Sequence, residues 1–413
     1  MRTGLLKYMN RKKAVFILLG QSNATGHASP MTEEDRIKEP LKNVYGLQRR
    51  DNQSFDITKL TWSNYLGAGT NLAEEQDDTY SLANCLAKVW QAEIDGGAYL
   101  PDLYIIQIAI GAEGVTEKYM WYPERERKLV PGVLGTVDIS LYPFANHIFS
   151  LLDESLGGDY EIMGIHWRGG EEETDVRVAH LEEVLRCIYD RMFDGFYKSL
   201  GRRVPVILHK MASENRCREM NVTGEDVEAM HFINKTFDEL ARDNENITTF
   251  DVTKAPHYNT TTRTNGIFLP DGGHYTPETN KWAARRICED IKNKLRTALV
   301  KSYLGKTVTV DIDRPIGTPH PKHPEIIYPI NYGYIPNVFG GDGEELDVYI
   351  LGNDGKLKVG DSITVKIIGV VYRKNDVEDK LVAAPEGMNY TAEEIEKIIH
   401  FQEQFYDSHV ETE

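Results

Sequence analysis

The chain is poor in cysteine, has no long apolar run and carries a deficit of positive charge. Its four cysteines are widely spaced and form neither a C-x-x-C pair nor a zinc-ligand pattern: Cys85, Cys187, Cys217 and Cys288. This usage excludes a disulfide framework and indicates free thiols in a reducing compartment. No apolar run reaches the length of a membrane span, and the run at 14–19 is too short for the apolar core of a signal peptide. We therefore expect a cytoplasmic protein that does not enter the membrane.

Negative charge prevails, with 64 Asp and Glu against 47 Lys and Arg and a formal net charge of −17. An acidic surface repels nucleic acid and anionic membranes, whereas divalent cations are compatible with it. We expect small-molecule substrates, no nucleic-acid partner and no membrane partner, and a homo-oligomer is compatible with the composition. The 413 residues, of which 41% are hydrophobic, are enough for two or three globular domains.

Short apolar segments alternate with segments of helical period over the first three quarters of the chain. The predicted strands are 14–19, 103–110, 161–167, 204–209 and 247–252, and the predicted helices are 80–94, 176–200 and 225–242. Such alternation predicts an α/β fold with a parallel sheet covered on both faces. A further helix is predicted after Thr276 as N-cap, with Pro277 in its first position and an apolar stripe that reaches Ala298.

The pattern changes after about residue 301. Residues 307–312 alternate apolar and polar side chains, proline and glycine are dense from 315 to 343, and short apolar segments follow. These predict strands at 347–351, 363–371 and 381–383 and a final helix at 392–406. Short strands of this kind are typical of a small β-barrel. We place the domain boundary near 299–304, which gives domains of 1–300 and 301–413.

A serine, an aspartate and a histidine are the first candidate catalytic group. Ser22 follows the first predicted strand within Gly20-Gln21-Ser22-Asn23, and ligands of open α/β sheets gather beyond the carboxyl ends of strands. Asp271 precedes His274 by three residues, so it can orient the imidazole as a base for the serine hydroxyl. Taken separately, a turn serine and a solvated histidine would explain the two segments equally well.

Taken together, the two motifs resemble the SGNH-hydrolase superfamily, in particular its sialate O-acetylesterase and acetylxylan-esterase branch, over roughly residues 14–300. The resemblance implies a three-layer α/β/α sandwich in which Ser22 attacks an O-acetylated sugar and His274, oriented by Asp271, is the base. The backbone N–H groups of Ser22 and Gly111 would form the oxyanion hole. It further places Gln21 and Glu171 at the substrate, and it implies no cofactor for this domain.

The third block of that branch, W-x-Q-G-E, is altered here to Trp167-Arg168-Gly169-Gly170-Glu171. The family glutamine falls at Gly169, and the loss of one oxyanion donor costs a factor of ~100 or more in rate. Either Arg168 compensates or the hole depends on backbone N–H groups alone. The remaining acids at 172–175 are expected in a solvated loop. His166 is expected as a satisfied core histidine, and we assign no role to His209.

Three acidic residues form a second candidate group. Asp342, Glu344 and Asp347 lie on a glycine-rich turn that enters a predicted strand. Hard cations such as Mg²⁺ require oxygen ligands, and phosphate chemistry requires such cations to neutralise charge. A solvated acidic hairpin would be the ordinary explanation of this turn considered alone.

The surrounding motifs resemble family I soluble inorganic pyrophosphatases over about residues 305–407. They are Tyr328-Pro329, the NYGY segment at 331–334, the DGEELDV segment at 342–348 and the KLVAAP segment at 380–385. The resemblance implies an OB-like five-stranded barrel that binds Mg²⁺ and hydrolyses pyrophosphate. Its residues here would be Glu344 as general base, Tyr332 and Lys380 as phosphate contacts, and Asp342, Asp347, Asp376 and Asp379 as metal ligands. Glu378 is an alternative to Asp379.

Several cationic positions of that family are missing. The glutamate–lysine–glutamate set has no clean counterpart in 311–323, the phosphate arginine aligns with His320 or Lys322, and the last helix shows Phe405-Tyr406 in place of Tyr-Lys. Fewer cations weaken the binding of a polyanion. The sequence therefore predicts a bifunctional hydrolase, an acetylesterase joined to a Mg²⁺-dependent diphosphatase. Another phosphate ester, or a non-catalytic module that senses phosphate or metal, remains the alternative for the second domain.

Overall fold

The structure, a computed structural model, describes residues 13–47, 58–67, 80–124, 140–175, 181–211, 225–259, 266–271, 273–353, 355 and 357–413. Two compact units divide them. One comprises Lys12–Ala92 and Pro101–Cys288, and the other includes Glu93–Leu100 and Glu289–Glu413. The boundary predicted near 299–304 falls inside the second unit, because the helix that spans 277–301 contributes its residues from Glu289 onward to that unit.

The first unit is built on a seven-stranded sheet with the order β3-β2-β4-β1-β5-β6-β7. All neighbouring strands are parallel except β2 and β3. The parallel sheet predicted from the alternating pattern is confirmed. Strand β2 and the edge strand β3 were not predicted, since segments of four and three residues carry too little periodicity. The strands are β1 Lys13–Gly20, β2 Val44–Leu47, β3 Trp62–Asn64, β4 Leu103–Ala109, β5 Tyr160–Arg168, β6 Val206–Lys210 and β7 Ile247–Asp251.

Helices cover both faces of this sheet. Val15, Ile17 and Leu19 of β1 share one core cluster with apolar side chains of α3, α5 and α6. On the opposite face, Phe16 contacts His166, and Phe250 of β7 contacts Trp282 of α7. The three-layer arrangement is therefore confirmed. The helices are α1 Ser22–Thr25, α2 Leu82–Asp95, α3 Leu141–Ser150, α4 Leu152–Leu156, α5 Leu181–Leu200, α6 Glu225–Asp243 and α7 Pro277–Lys301, with 3₁₀ turns at Glu172–Asp175 and Val252–Lys254.

Strands β8 to β12 of the second unit form a closed five-stranded barrel, because β12 pairs with both β10 and β11. The predicted small barrel is confirmed. Two strands were not predicted. Strand β9 falls in the segment rich in proline and glycine, and strand β13 extends the sheet beside β11. The elements are β8 Thr307–Arg314, β9 Asn331–Phe339, β10 Glu345–Ile350, β11 Ser362–Arg373, β12 Lys380–Ala384, α8 Ala392–Glu403 and β13 Ser408–Thr412.

Cys85, Cys187 and Cys288 are free thiols, whereas Cys217 and the first residues of the helix predicted at 176–200 lie outside the described residues. In the part of the chain that the structure describes, none of the helices combines the length and apolar character needed to cross a membrane.

Candidate active sites

Ser22 stands directly beyond the carboxyl end of the central strand β1. The strand ends at Gly20, whose φ of +141° suits glycine, and a Cβ added there would lie 1.9 Å from the carbonyl oxygen of Arg168. The amide of Gln21 donates to that same carbonyl at 3.0 Å, and α1 starts at Ser22. The close approach of β1 and β5 therefore fixes the turn that presents Ser22 at the edge of the sheet.

Asp271 and His274 are hydrogen-bonded to each other. Asp271 Oδ2 lies 2.8 Å from Nδ1 of His274, while its Oδ1 accepts from the backbone N–H groups of Gly273 and His274 at 2.9 and 3.0 Å. Burial acts to raise the pKa of Asp271, but these N–H donors and His274 keep the pKa below its usual value. An ionised carboxylate in this position holds the proton of His274 on Nδ1 and leaves Nε2 as a proton acceptor.

Asn23 joins the serine turn to the histidine loop. Its Nδ2 donates to the carbonyl oxygen of Gly273 at 3.0 Å, and its Oδ1 accepts from the amide of Tyr275 at 3.0 Å. The side chain of Asn23 thus bonds to both chain neighbours of His274. Because Asn23 directly follows Ser22, these two bonds place the serine and the histidine in one site.

Gly111, the second predicted oxyanion donor, lies beside the serine. A Cβ added to Gly111 would be 3.8 Å from Cβ of Ser22. The next residue, Ala112, has a φ of +59°, so the chain turns sharply after β4 at this point. The structure therefore brings the backbone of Gly111 next to Ser22.

Arg168 is turned away from any oxyanion position. Its guanidinium is buried and donates to Nδ1 of His209, to the carbonyl oxygen of Asn23 and to Oδ1 of Asn280, the last at 2.6 Å. Nε2 of His209 in turn lies 3.0 Å from Nδ1 of His166. The idea that Arg168 replaces the missing glutamine is therefore wrong, because this side chain braces the backbone behind Ser22. The prediction that His166 is a satisfied core histidine holds.

Two residues expected at the substrate are buried. Gln21 is 1% exposed, and its Oε1 has no hydrogen-bond partner among the described residues. Glu171 is 8% exposed, and its Oε1 accepts from Nδ2 of Asn23 at 2.8 Å. Neither side chain reaches an open surface, so the expectation of direct substrate contact is corrected. Glu171 instead orients Asn23.

Glu173 also departs from the expectation of a solvated loop. It is fully buried, and its Oε1 accepts a hydrogen bond from the amide of Val115. Burial raises the pKa of Glu173 to about 7. The same oxygen would lie 2.1 Å from a Cβ at Gly114, so this carboxyl is packed against the loop that follows Gly111.

In the barrel, Asp347 is the centre of a buried polar cluster. The hydroxyl of Tyr332 and the ammonium of Lys380 both donate to Asp347 Oδ2, and Lys380 also donates to the Tyr332 hydroxyl at 2.7 Å and to Glu378 Oε2 at 2.8 Å. Burial acts to raise the pKa of Asp347, but the Lys380 charge and the surrounding donors keep the pKa lowered. Burial raises the pKa of Glu378. Tyr332 and Lys380, expected at phosphate, thus organise the carboxylates.

The structure distinguishes Glu378 from Asp379. Glu378 reaches the Asp347 cluster, whereas Asp379 points elsewhere: its Oδ1 accepts from the amide of Arg373 at 2.9 Å and its Oδ2 lies 3.1 Å from Nε of Arg296. Asp376 Oδ2 accepts from Nη1 of Arg373 at 2.8 Å. The assignment of Asp379 as a metal ligand is therefore corrected, because consecutive side chains on this segment face opposite ways and only Glu378 faces Asp347.

Asp342 and Glu344 lie on the exposed turn between β9 and β10. Oδ1 of Asp342 accepts from the amide of Glu344 at 3.0 Å. A Cβ added to Gly340 would lie 3.4 Å from Oδ1 of Asp342 and 3.7 Å from Cγ of Glu378, so these two acids approach each other from opposite segments. The turn therefore brings the carboxylate of Asp342 close to Glu378, which reaches the Asp347 cluster.

Arg314 is a cation that the sequence analysis did not single out. Its Nη1 donates to the hydroxyl of Tyr328 at 2.8 Å, and its guanidinium carbon lies 4.9 Å from the ring centre of Tyr332. The side chain remains 24% exposed. His320, one of the two residues aligned with the family arginine, stacks 6.1 Å from the Tyr328 ring. Arg314 lies just after the alternating segment 307–312, and the D-x-D-R charge pattern at 311–314 is the signal in the sequence that could have indicated it.

Divalent cations such as Mg²⁺ prefer carboxylate oxygens as ligands. Asp342, Asp347 and Glu378 converge on the same region, although within the described residues no three acids, histidines or cysteines are arranged as a ready metal site. Arginine nitrogens engage oxygens of Asp376 and Asp379, just as the ammonium of Lys380 engages Asp347 and Glu378. Glu378 rather than Asp379 therefore lies in the cluster of Asp347, and the role of these carboxylates as metal ligands stays a prediction.

Residues 305–411, which contain this cluster, match the family model described as inorganic pyrophosphatase. The barrel is thus similar in sequence to inorganic pyrophosphatases. The inorganic pyrophosphatase of Campylobacter jejuni is 31% identical over 101 residues, which cover 23% of this chain and 58% of that protein. That of Sulfolobus acidocaldarius is 45% identical over 60 residues, 14% of this chain and 34% of that protein. The chain thus spans a little over half of the first relative and a third of the second.

Two solved structures are similar to larger parts of the chain. The crystal structure of NanS has a TM-score of 0.48 and 14% identity, and the match covers 69% of this chain and 98% of that one. A structure described as a novel carbohydrate acetylesterase from Xanthomonas citri has a TM-score of 0.40 and 9% identity, covering 96% of this chain and 71% of that one.

Proposed function

We propose that the chain is a bifunctional hydrolase, a serine-dependent carbohydrate O-acetylesterase joined to a Mg²⁺-dependent inorganic diphosphatase. The observation that carries the esterase is the pair of 3.0 Å hydrogen bonds by which Asn23 ties the Ser22 turn to both neighbours of His274. The sugar substrate comes from the resemblance of the GQSN and DxxH motifs, and the diphosphatase comes from the family of the barrel.

In the esterase, Nε2 of His274 takes the proton of the Ser22 hydroxyl as its oxygen attacks the ester carbonyl. Asp271 keeps the proton on Nδ1 and stabilises the imidazolium that forms. The backbone N–H groups of Ser22 and Gly111 donate to the developing oxyanion. The alcohol leaves with the proton from His274, and His274 then activates the water that releases acetate from the acyl-enzyme.

In the barrel, a bound Mg²⁺ would neutralise phosphate charge and lower the pKa of water. Asp342, Asp347 and Glu378 are the residues that would hold it. Lys380 and Tyr332 fix Asp347 from the protein side, so this carboxylate is oriented before any substrate arrives. Glu344, exposed on the turn, would accept a proton from an attacking water, and Arg314 would supply a cation for the diphosphate.

Paired assays on one full-length preparation test both halves. Wild type is expected to hydrolyse p-nitrophenyl acetate and to release phosphate from pyrophosphate with Mg²⁺. Ser22→Ala should abolish the first activity and leave the second, while Asp347→Asn should do the reverse. Because each variant serves as the control for the other, misfolding would show as loss of both. Ester hydrolysis that survives Ser22→Ala would contradict the assigned nucleophile.

A non-catalytic sensor is the second candidate for the barrel, and the ammonium of Lys380 favours it by occupying Asp347 and Glu378 from within. A sensor binds phosphate or metal without turnover. Binding of pyrophosphate and Mg²⁺ by wild type, measured by calorimetry, with no phosphate released would establish the sensor and exclude the diphosphatase.

A further inference from the structure

Arg373, at the end of β11, is a buried cation in the barrel, with 1% of its side chain exposed. Its Nε and Nη2 donate to the two carboxylate oxygens of Glu403 at 3.0 and 2.5 Å. The ring centre of Tyr406 lies 3.7 Å from its guanidinium carbon. A two-point pairing and a stacked ring fix the plane of the guanidinium. Its position is therefore set by α8 and the residues after it.

The remaining nitrogen, Nη1, is directed at the acidic segment 376–379. It donates to Oδ2 of Asp376 at 2.8 Å and lies 3.9 Å from Oε2 of Glu378. A fixed positive charge thus lies beside two carboxylates, of which Glu378 also belongs to the Asp347 cluster.

Arg296 holds that segment against Arg373. Its Nη2 donates to the carbonyl oxygen of Arg373 at 3.2 Å, its Nη1 donates to the carbonyl oxygen of Asp376, and its Nε pairs with Asp379. By binding the carbonyl oxygens of both Arg373 and Asp376, Arg296 keeps Asp376 beside the guanidinium of Arg373. A repositioning of Asp376 toward a different cation would break these contacts.

We infer that Arg373 is a built-in cation that takes the place of a divalent metal ion between Asp376 and Glu378. A metal ion bound there would face a guanidinium only a few ångströms away, and like charges at such a distance repel strongly. The pyrophosphatase-type barrel would then bind divalent cations through Asp342 and Asp347 while Asp376 neutralises Arg373. The inference rests on the proposed metal dependence of the barrel, since it concerns how many cations the cluster accepts.

Binding of Mn²⁺ to the full-length chain, followed by electron paramagnetic resonance without substrate, tests this role. Asp376→Asn is expected to leave both the affinity and the number of bound ions unchanged, as is the matched surface control Asp361→Asn. Asp347→Asn should weaken binding by about tenfold or more, as loss of a ligand contact does. The double variant Arg373→Met/Glu403→Gln, which leaves no buried carboxylate without its cation, should bind one additional Mn²⁺ per chain.

Weakening of Mn²⁺ binding by Asp376→Asn to the level of Asp347→Asn would overturn the inference, because Asp376 would then be a ligand. A folded double variant that gains no ion would overturn it as well. Should the double variant not fold, Asp376→Asn alone decides. A wild type that binds no Mn²⁺ would contradict the metal dependence proposed for the barrel, and a gained ion in the double variant would still support the role of Arg373.

Discussion

The backbone amide of Tyr275 donates a hydrogen bond to Oδ1 of Asn23 at 3.0 Å, although the two residues are 252 positions apart. With the bond from Asn23 Nδ2 to Gly273, it closes the candidate esterase site around His274. Glu171 completes the arrangement by accepting from Nδ2 of Asn23 at 2.8 Å. Three separate segments of the chain therefore meet at one amide side chain, and the site's geometry depends on it.

Asn23→Ala is expected to lower kcat for p-nitrophenyl acetate by about 100-fold, since small misplacement of catalytic groups costs this much. The free energy of unfolding should fall by a few kcal/mol at most, because partners are left unpaired. Steady-state kinetics and thermal unfolding of the variant check both. Asn64→Ala, which removes an exposed asparagine of the same unit, is the matched control. Unchanged kcat in Asn23→Ala would remove the basis of the proposed site.

Asp271→Asn should reduce kcat on the order of 10³ to 10⁴ while changing KM little, because an amide donates to Nδ1 and imposes the wrong tautomer on His274. The lowered pKa of Asp271 keeps the carboxylate ionised at neutral pH. Its contribution to stability is present above the unfolded pKa and is lost as the pH falls through the folded pKa. The Asp271→Asn variant should therefore lose less stability than wild type on acidification.

Kinetics of Asp271→Asn beside Asp251→Asn test the role. Asp251 accepts from the amide of Thr253 at 2.9 Å, so it controls for loss of a carboxylate that orders a turn. An equal loss of kcat in both variants would indicate a general structural effect.

Glu173→Gln is expected to remove a pH-dependent loss of stability. The pKa of Glu173 is raised by burial to about 7, so the folded state holds a proton that the unfolded chain releases at lower pH. Stability therefore declines as the pH rises from the unfolded pKa to the folded one, by about 3 kcal/mol in all. Glutamine keeps the acceptor for Val115 and carries no charge. The free energy of unfolding of the variant should therefore rise relative to that of wild type as the pH increases from 5 to 8.

Tryptophan fluorescence during urea unfolding measures the free energy of unfolding of the first unit alone, because all the tryptophans lie within it: Trp62, Trp90, Trp121, Trp167 and Trp282. If the free energy of unfolding depended on pH in the same way in wild type and Glu173→Gln, the Glu173 carboxyl would not titrate in this range.

Arg314→Gln should raise KM for pyrophosphate by about tenfold or more, as expected for loss of a charge-assisted contact. The value of kcat should change less, because Arg314 does not touch Asp342 or Asp347 in the described contacts. Lys358→Gln removes an exposed cation of the same unit to which no role is assigned, and it is the control. Equal effects of the two variants would point to net charge rather than a specific contact.

Local patterns predicted much of both units. The run at 14–19 became β1, and Thr276 and Pro277 start α7, where the amide of Thr279 donates to the Thr276 hydroxyl at 3.2 Å. Apolar periodicity and caps act over a few residues, so a sequence displays them directly. The edge strand β3 has only three residues, and no local pattern distinguishes it from a loop.

By itself the sequence determined the parallel sheet, the barrel and the motifs around Ser22, His274 and Asp347, because each depends on neighbouring residues. The tertiary structure alone decided that Glu378 rather than Asp379 faces Asp347, and that Arg373 pairs with Glu403 thirty residues later. Such choices depend on which side of a segment packs inward and on which distant segment meets it. A charged side chain that is buried in this way must then be paired with an opposite charge, since it has lost its contact with water.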